Sequence, residues 1–147
     1  MRCVWNNGKL WSRNGNEIHA PERFLQLLPR SICLDGELFA GRGTFQELMS
    51  IKSNPHDERW SKVVYVVYDA PHVPGPFSTR LSVLRSALAA TTPSNIAKPL
   101  KQTVCKGKAH VLQELERIHR MGGEGVMLKK PDGGYQSGRS GKALLKV

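Results

Sequence analysis

A chain of 147 residues, 39% hydrophobic and 23% charged, is long enough to bury one core and too apolar to be a disordered tract. Its longest apolar runs, such as residues 63–68, fall far short of a bilayer span, and the first seven residues hold no apolar leader segment. The net charge of +10 is lopsided: residues 1–70 carry nine basic and eight acidic side chains, and residues 71–147 carry thirteen and four. A basic half favours a polyanionic partner, because neutralised phosphates release condensed counterions, although an unspecialised basic surface accounts for the charge equally well.

Residues 2–6 and 9–13 flank Asn7-Gly8, a pair suited to the left-handed conformations of a tight hairpin. Pro21 stands where a first helical residue would, opening a short helix that Pro29 stops. Residues 31–40 read as a strand. After Gly41-Arg42-Gly43, Thr44 and Glu47 form a capping-box pair ahead of a second short helix. Residues 62–69 are dense in β-branched and aromatic side chains and form the plainest strand. A Pro/Gly loop follows, then a helix with Leu81, Leu84 and Leu88 on one face. Pro99 suits residues 96–104 only to an edge strand. Residues 108–121 form an amphipathic helix with Val111, Leu112, Leu115 and Ile118 at helical spacing, ended by Gly122-Gly123. Residues 125–129 and 143–147 are two last strands around a Gly-rich loop. Short strands among scattered helices predict an α+β fold with largely antiparallel sheets.

Cys3, Cys33 and Cys105 are odd in number and far apart, with no C-x-x-C, so neither a zinc finger nor a disulfide framework is expected and a reducing compartment is the default. The five histidines form no base-and-nucleophile pattern, and Trp5, Trp11 and Trp60 are expected to pack. Glu37 and Glu124 are more informative. A carboxylate within an apolar strand must be paired, hydrogen-bonded or metal-bound. With Lys129 and Lys146 nearby in the pattern, the two glutamates would suit a metal–nucleotide site, the ammonium groups neutralising phosphate oxygens. Two glutamates pointing outward from edge strands is the competing description, and the residues taken alone favour it.

Four segments in order resemble the motifs of the covalent nucleotidyltransferases, the ATP-dependent DNA ligases, RNA ligases and mRNA capping enzymes: Asp35-Gly36-Glu37, the run from Tyr65 to Asp69, Glu124-Gly125-Val126-Met127-Leu128-Lys129, and Leu144-Leu145-Lys146-Val147. Trp11-Ser12-Arg13-Asn14-Gly15, Gly41-Arg42-Gly43-Thr44-Phe45, and the run from Lys130 to Tyr135 leading into Gly138-Arg139-Ser140 are similar to small ATP-dependent DNA ligases in particular. That resemblance implies the nucleotidyltransferase fold, two antiparallel sheets with a nucleotide groove between them and flanking helices. It implies ATP and Mg²⁺ as cofactors: Glu37 on ribose and metal, Glu124 on metal, Tyr68 on the adenine face, Lys129, Lys146 and Arg2 on phosphates. It further implies nicked duplex DNA as partner, with Arg13 engaging it, a monomer, no membrane, and a DNA-containing compartment. An RNA ligase or capping-type relative, and a catalytically dead nucleotide- or DNA-binding module, are the rival readings.

In that family the nucleophile lies in Lys-x-Asp-Gly-x-Arg, and only the final arginine of the pattern is matched here, by Arg2. No catalytic residue is therefore assigned, and residues 1–147 are expected to be a single incomplete adenylation domain, without the oligonucleotide-binding barrel and inactive alone. Lys130-Pro131-Asp132-Gly133 also reads Lys-x-Asp-Gly, but it follows directly on the glutamate motif and has no arginine at the required offset. Residues 133–140 nearly match a P-loop, yet Arg139 replaces the lysine and a strand rather than a helix follows.

Overall fold

The computed structural model describes residues 1–137 and 144–147. Strands β1 (Arg2–Asn6) and β2 (Lys9–Ser12) form the expected hairpin, with Asn7 at φ 50° and Gly8 at φ 78° supplying the two left-handed residues of its turn. Strand β3 (Glu17–Ile18) adds to β2, while β4 (Leu34–Phe39) pairs with β1 and β5 (Val64–Asp69) with β4, all antiparallel. Strand β6 (Ala97–Pro99) pairs with β5 and completes a six-stranded sheet in the order β3-β2-β1-β4-β5-β6. This last pair is parallel, the one such pair among the described residues, in a sheet otherwise antiparallel as expected. A parallel neighbour needs a crossover, and the helix α3 (Phe77–Thr91) between β5 and β6 provides it. Pro99 sits on the edge strand, as its missing N–H requires.

Alternation along these strands divides the sheet into two faces. Cys3, Trp5, Leu10, Leu34, Leu38, Tyr65 and Val67 point into the core. Helix α1 (Glu22–Leu25) with Phe24, helix α2 (Phe45–Lys52) with Leu48 and Ile51, the 3-10 turn Glu58–Lys62 with Trp60, and α3 with Leu84 and Leu88 cover them. Trp5 and Trp60 pack there, their indole N–H groups donating to the Pro29 and Asn54 carbonyls at 2.7 and 3.1 Å. The capping box is not formed. Thr44, at φ −100° and ψ 23°, turns its hydroxyl back to donate to the Gly41 carbonyl at 2.8 Å, and makes no side-chain cap to α2.

The opposite face carries Arg2, Asp35, Glu37 and Tyr68, and a second, smaller layer stands across from it. That layer is helix α4 (Lys108–Arg120) and the antiparallel pair β7 (Met127–Lys129) and β8 (Leu144–Lys146). Gly122, at φ 73°, ends α4 as expected: its N–H and that of Gly123 bond to the His119 and Ile118 carbonyls at 2.9 and 2.8 Å, a Schellman close. No residue of α4 is fully buried, because its apolar side looks onto a groove rather than into the core. Among the described residues no helix is long and apolar enough to cross a membrane.

Candidate functional site

Between the six-stranded sheet and the smaller layer runs a groove of about 890 Å³. Arg2, Asp35, Glu37 and Tyr68 line one wall, and Val111, Ile118, Lys129 and Leu144 the other. Strand parity explains the first wall. Arg2 lies opposite Glu37 and Val4 opposite Asp35, so these side chains share the face turned away from the core.

Two buried carboxylates organise the groove floor. Asp35, 1% exposed, receives a two-pronged bond from the Arg2 guanidinium (2.8 and 3.2 Å) and a third from the Tyr135 hydroxyl at 2.9 Å. The bond to Asp35 raises the Arg2 pKa further above its ordinary value. Burial, reinforced by the Asp35 charge, pushes the Tyr135 phenol up to about 12, and the same two causes raise Tyr68 well above its usual range. Both phenols are therefore neutral at physiological pH, and Tyr135 donates to Asp35.

Asp69, also 1% exposed, accepts bonds from Arg80 at 2.7 and 3.2 Å, from the Lys129 ammonium at 2.5 Å and from the Ala70 N–H at 2.8 Å. Burial alone would raise its pKa, but the bonds from Arg80 and Lys129 together outweigh it and hold the carboxyl below the usual range. Lys129 also lies 4.2 Å from the Phe77 ring centre. The segment after β7 then crosses to the start of α3. The Gly133 carbonyl accepts the Phe77 N–H at 2.9 Å and an Arg80 N–H at 3.1 Å, and the Pro131 carbonyl accepts the Ser78 N–H at 2.9 Å. Helix α3 has no side-chain cap, so carbonyls more than fifty residues away satisfy its first amides. The string Lys130-Pro131-Asp132-Gly133 thereby has a structural task. Gly133, its last residue and the first of the P-loop-like run 133–140, offers a carbonyl to a helix start rather than an amide to a phosphate. Gly138-Arg139-Ser140, the end of that run, lies outside the described residues.

The structure gathers Arg2, Glu37, Tyr68 and Lys129 on the groove walls and leaves three expected site residues off them. Glu124 is 92% exposed and 3.6 Å from Lys146, itself 65% exposed, and Arg13 is exposed in the turn after β2. Glu37 is 54% exposed and meets the N-terminal ammonium at 2.8 Å. Among the described residues no three His, Cys, Asp or Glu side chains converge as a metal cage. Sequence reasoning passed over Arg80, quoted Tyr135 only as the end of a motif without a role, and assigned the carboxylate roles to the glutamates rather than to Asp35 and Asp69. The signal for Arg80 was available: it occupies the same helical stripe as Phe77, Leu84 and Leu88, where a cation must have a buried partner.

The chain matches the family described as ATP dependent DNA ligase domain over residues 5–147. It is 31% identical to a DNA ligase of Haemophilus influenzae across 98% of its own length and 53% of that protein's. A solved structure from work on DNA binding with a minimal scaffold by Lig E DNA ligases superposes on the whole chain with a TM-score of 0.89 at 33% identity. Chlorella virus DNA ligase-adenylate does so with a TM-score of 0.82 at 25% identity. The chain covers 57% of each of these two structures, and so spans a little over half the length of the relatives it matches.

Proposed function

The chain belongs to the ATP-dependent DNA ligase family, and from that premise we propose that it is the adenylation domain of an enzyme that seals nicks in duplex DNA. The observation that carries this reading is the convergence of Tyr68, Arg2, Lys129 and Glu37 on one groove whose volume suits a nucleotide. In the proposed complex the Tyr68 ring stacks on adenine, while Arg2 and Lys129 neutralise the α-phosphate, with Lys146 approaching from β8. Only Met1 precedes Arg2 in this chain, so the first step is proposed for the full-length enzyme. A neutral lysine amine attacks the α-phosphorus, the N–P bond forms as the P–O bond to pyrophosphate breaks, and the amine proton passes to solvent. AMP then passes to the 5′-phosphate of the nick, and the 3′-hydroxyl displaces it. Arg13 and exposed basic residues of 71–147 outside the nucleotide groove grip the DNA phosphates.

Mg²⁺ commonly binds through one or two carboxylates together with substrate phosphates, and Glu37, half exposed on the groove wall, fits such a set; Glu124 is the second carboxylate proposed. When bound, the ion would supply charge neutralisation of the phosphoryl oxygens. The protein is proposed to act as a monomer in a reducing, DNA-containing compartment, in keeping with its three free cysteines.

Two measurements test the reading. Calorimetric titration of the chain with ATP and Mg²⁺ should give saturable binding that Tyr68→Ala weakens by about 10- to 100-fold, the worth of one base–aromatic stack, without lowering Tm. The full-length enzyme should seal nicked DNA in preference to nicked RNA. Unchanged ATP affinity in the variant removes Tyr68 from the site, and preferential sealing of RNA overturns the assignment of the acceptor.

A further inference from the structure

Arg80 belongs to none of the motifs that carry the family resemblance, yet it is 1% exposed and packed at the groove lining beside Asp69. Its guanidinium bonds twice to Asp69, once to the Gly75 carbonyl at 2.9 Å and once to the Gly133 carbonyl at 3.1 Å. Asp69 shares the oxygen Oδ2 between Arg80 and Lys129. Lys129 has three N–H groups. Asp69 takes one and the Phe77 ring lies against the ammonium at 4.2 Å, so donor capacity remains for a ligand in the groove.

Charge decides what that capacity is worth. Asp69 and Lys129 alone sum to zero, and the field of the ammonium at the groove would be largely cancelled by the carboxylate behind it. Arg80 supplies a second cation to Asp69, so the cluster carries a net +1, and of its two cations Lys129 is the more accessible, 21% exposed against 1% for Arg80. The same guanidinium fastens the Gly133 carbonyl, and with it the segment that follows Lys129.

We infer that Arg80 is a positioning residue for phosphate recognition: it neutralises Asp69 so that Lys129, held in place by that carboxylate, presents an uncancelled positive charge to the nucleotide phosphates. This rests on the nucleotide reading above. The side chain touches no ligand itself and acts through Lys129. Ordering a long, flexible lysine before the ligand arrives lessens the entropy that binding must overcome.

The test compares ATP with adenosine, which shares the base and ribose but has no phosphate. Wild-type chain, Arg80→Gln and the double variant Arg80→Gln/Asp69→Asn are titrated with each, and Tm is recorded. Arg80→Gln should lose about tenfold in ATP affinity and less than about twofold in adenosine affinity. The double variant restores the +1 of the cluster and should return ATP affinity to within about threefold of wild type. Equal losses for ATP and adenosine, or a double variant no better than the single one, would mean a merely structural arginine and would overturn the inference. Should Arg80→Gln not fold, the double variant decides alone: an ATP-to-adenosine preference within about threefold of wild type supports the inference, and a tenfold loss overturns it. Wild-type chain that binds neither compound defeats the nucleotide reading itself, a result distinct from any of these.

Discussion

Replacing Gly36 with alanine adds a single carbon in the tightest place on the large sheet. Gly36 stands between Asp35 and Glu37 on β4, beside a register shift in its pairing with β5. A Cβ there would lie 2.5 Å from the Val66 carbonyl oxygen, 2.8 Å from Tyr65 Cε2 and 3.0 Å from Val67 Cα. Two of these are backbone atoms of β5, and the third belongs to a buried ring pinned by its hydroxyl bond to the Leu34 carbonyl at 2.8 Å. None can rotate aside, so the two strands must part by about 0.9 Å to reach the 3.4 Å of ordinary contact. Overpacking of this kind costs about 1–3 kcal/mol. The upper end applies because backbone must move, and alanine's smaller unfolded-state entropy returns about 0.4–1 kcal/mol of it. A net loss of about 2 kcal/mol lowers Tm by about 4–8 °C in a chain of this size. Thermal melts followed by circular dichroism measure it, with Gly134→Ala as control, since nothing lies within 4 Å of a Cβ at that position. A Gly36→Ala melt within 2 °C of wild type, or one matched by the control, refutes the steric reasoning.

Acid should reveal Asp69 in the melting temperature. Its folded-state pKa is depressed, so its contribution is fully present above the unfolded value near 3.9 and is lost as pH falls through the folded value. Asp69→Asn should melt lower at pH 7, by the equivalent of about 3–5 kcal/mol for a broken buried pair, but show a shallower decline below about pH 4; parallel declines would show that Asp69 does not govern the acid limb. The cysteines should separate by reactivity. Burial pushes the Cys3 and Cys33 thiols up to about 12 and about 11, while Cys105 is exposed, so a thiol reagent should modify one group rapidly in the native chain and three after unfolding. Rapid modification of two or more in the native state would contradict the packing around β1 and β4.

What was legible in the sequence were features set locally. The Asn7-Gly8 turn, the Gly122-Gly123 helix end and the edge position of Pro99 each follow from a dihedral or a missing donor that only those residues supply. The Thr44 cap failed for an equally local reason: at φ −100° and ψ 23° the hydroxyl turns back to the Gly41 carbonyl, and its oxygen accepts from no amide of α2. The parallel β5–β6 pair depends on where a fifteen-residue helix returns the chain, which no window of sequence contains.

The site divides along the same line. The rule that a carboxylate in an apolar strand needs a partner was sound, but it does not say which carboxylate is inside. Asp35 and Glu37 have the same parity on β4 and both face the groove, yet one is 1% exposed and the other 54%. Side-chain length and the neighbours decide between them. The shorter Asp35 carboxylate stays near the strand, where Arg2 from β1 and Tyr135, a hundred residues away, close over it. The longer Glu37 extends clear of that cover. Asp69 shows the same dependence on distant chain, since its partners come from α3 and β7. Pairing across separations of eleven and sixty residues leaves only a faint trace in sequence, an arginine in a leucine stripe and a lysine at a strand end. Those two traces become interpretable together once the fold brings both to one carboxylate, and it is there that the charge offered to a phosphate is decided.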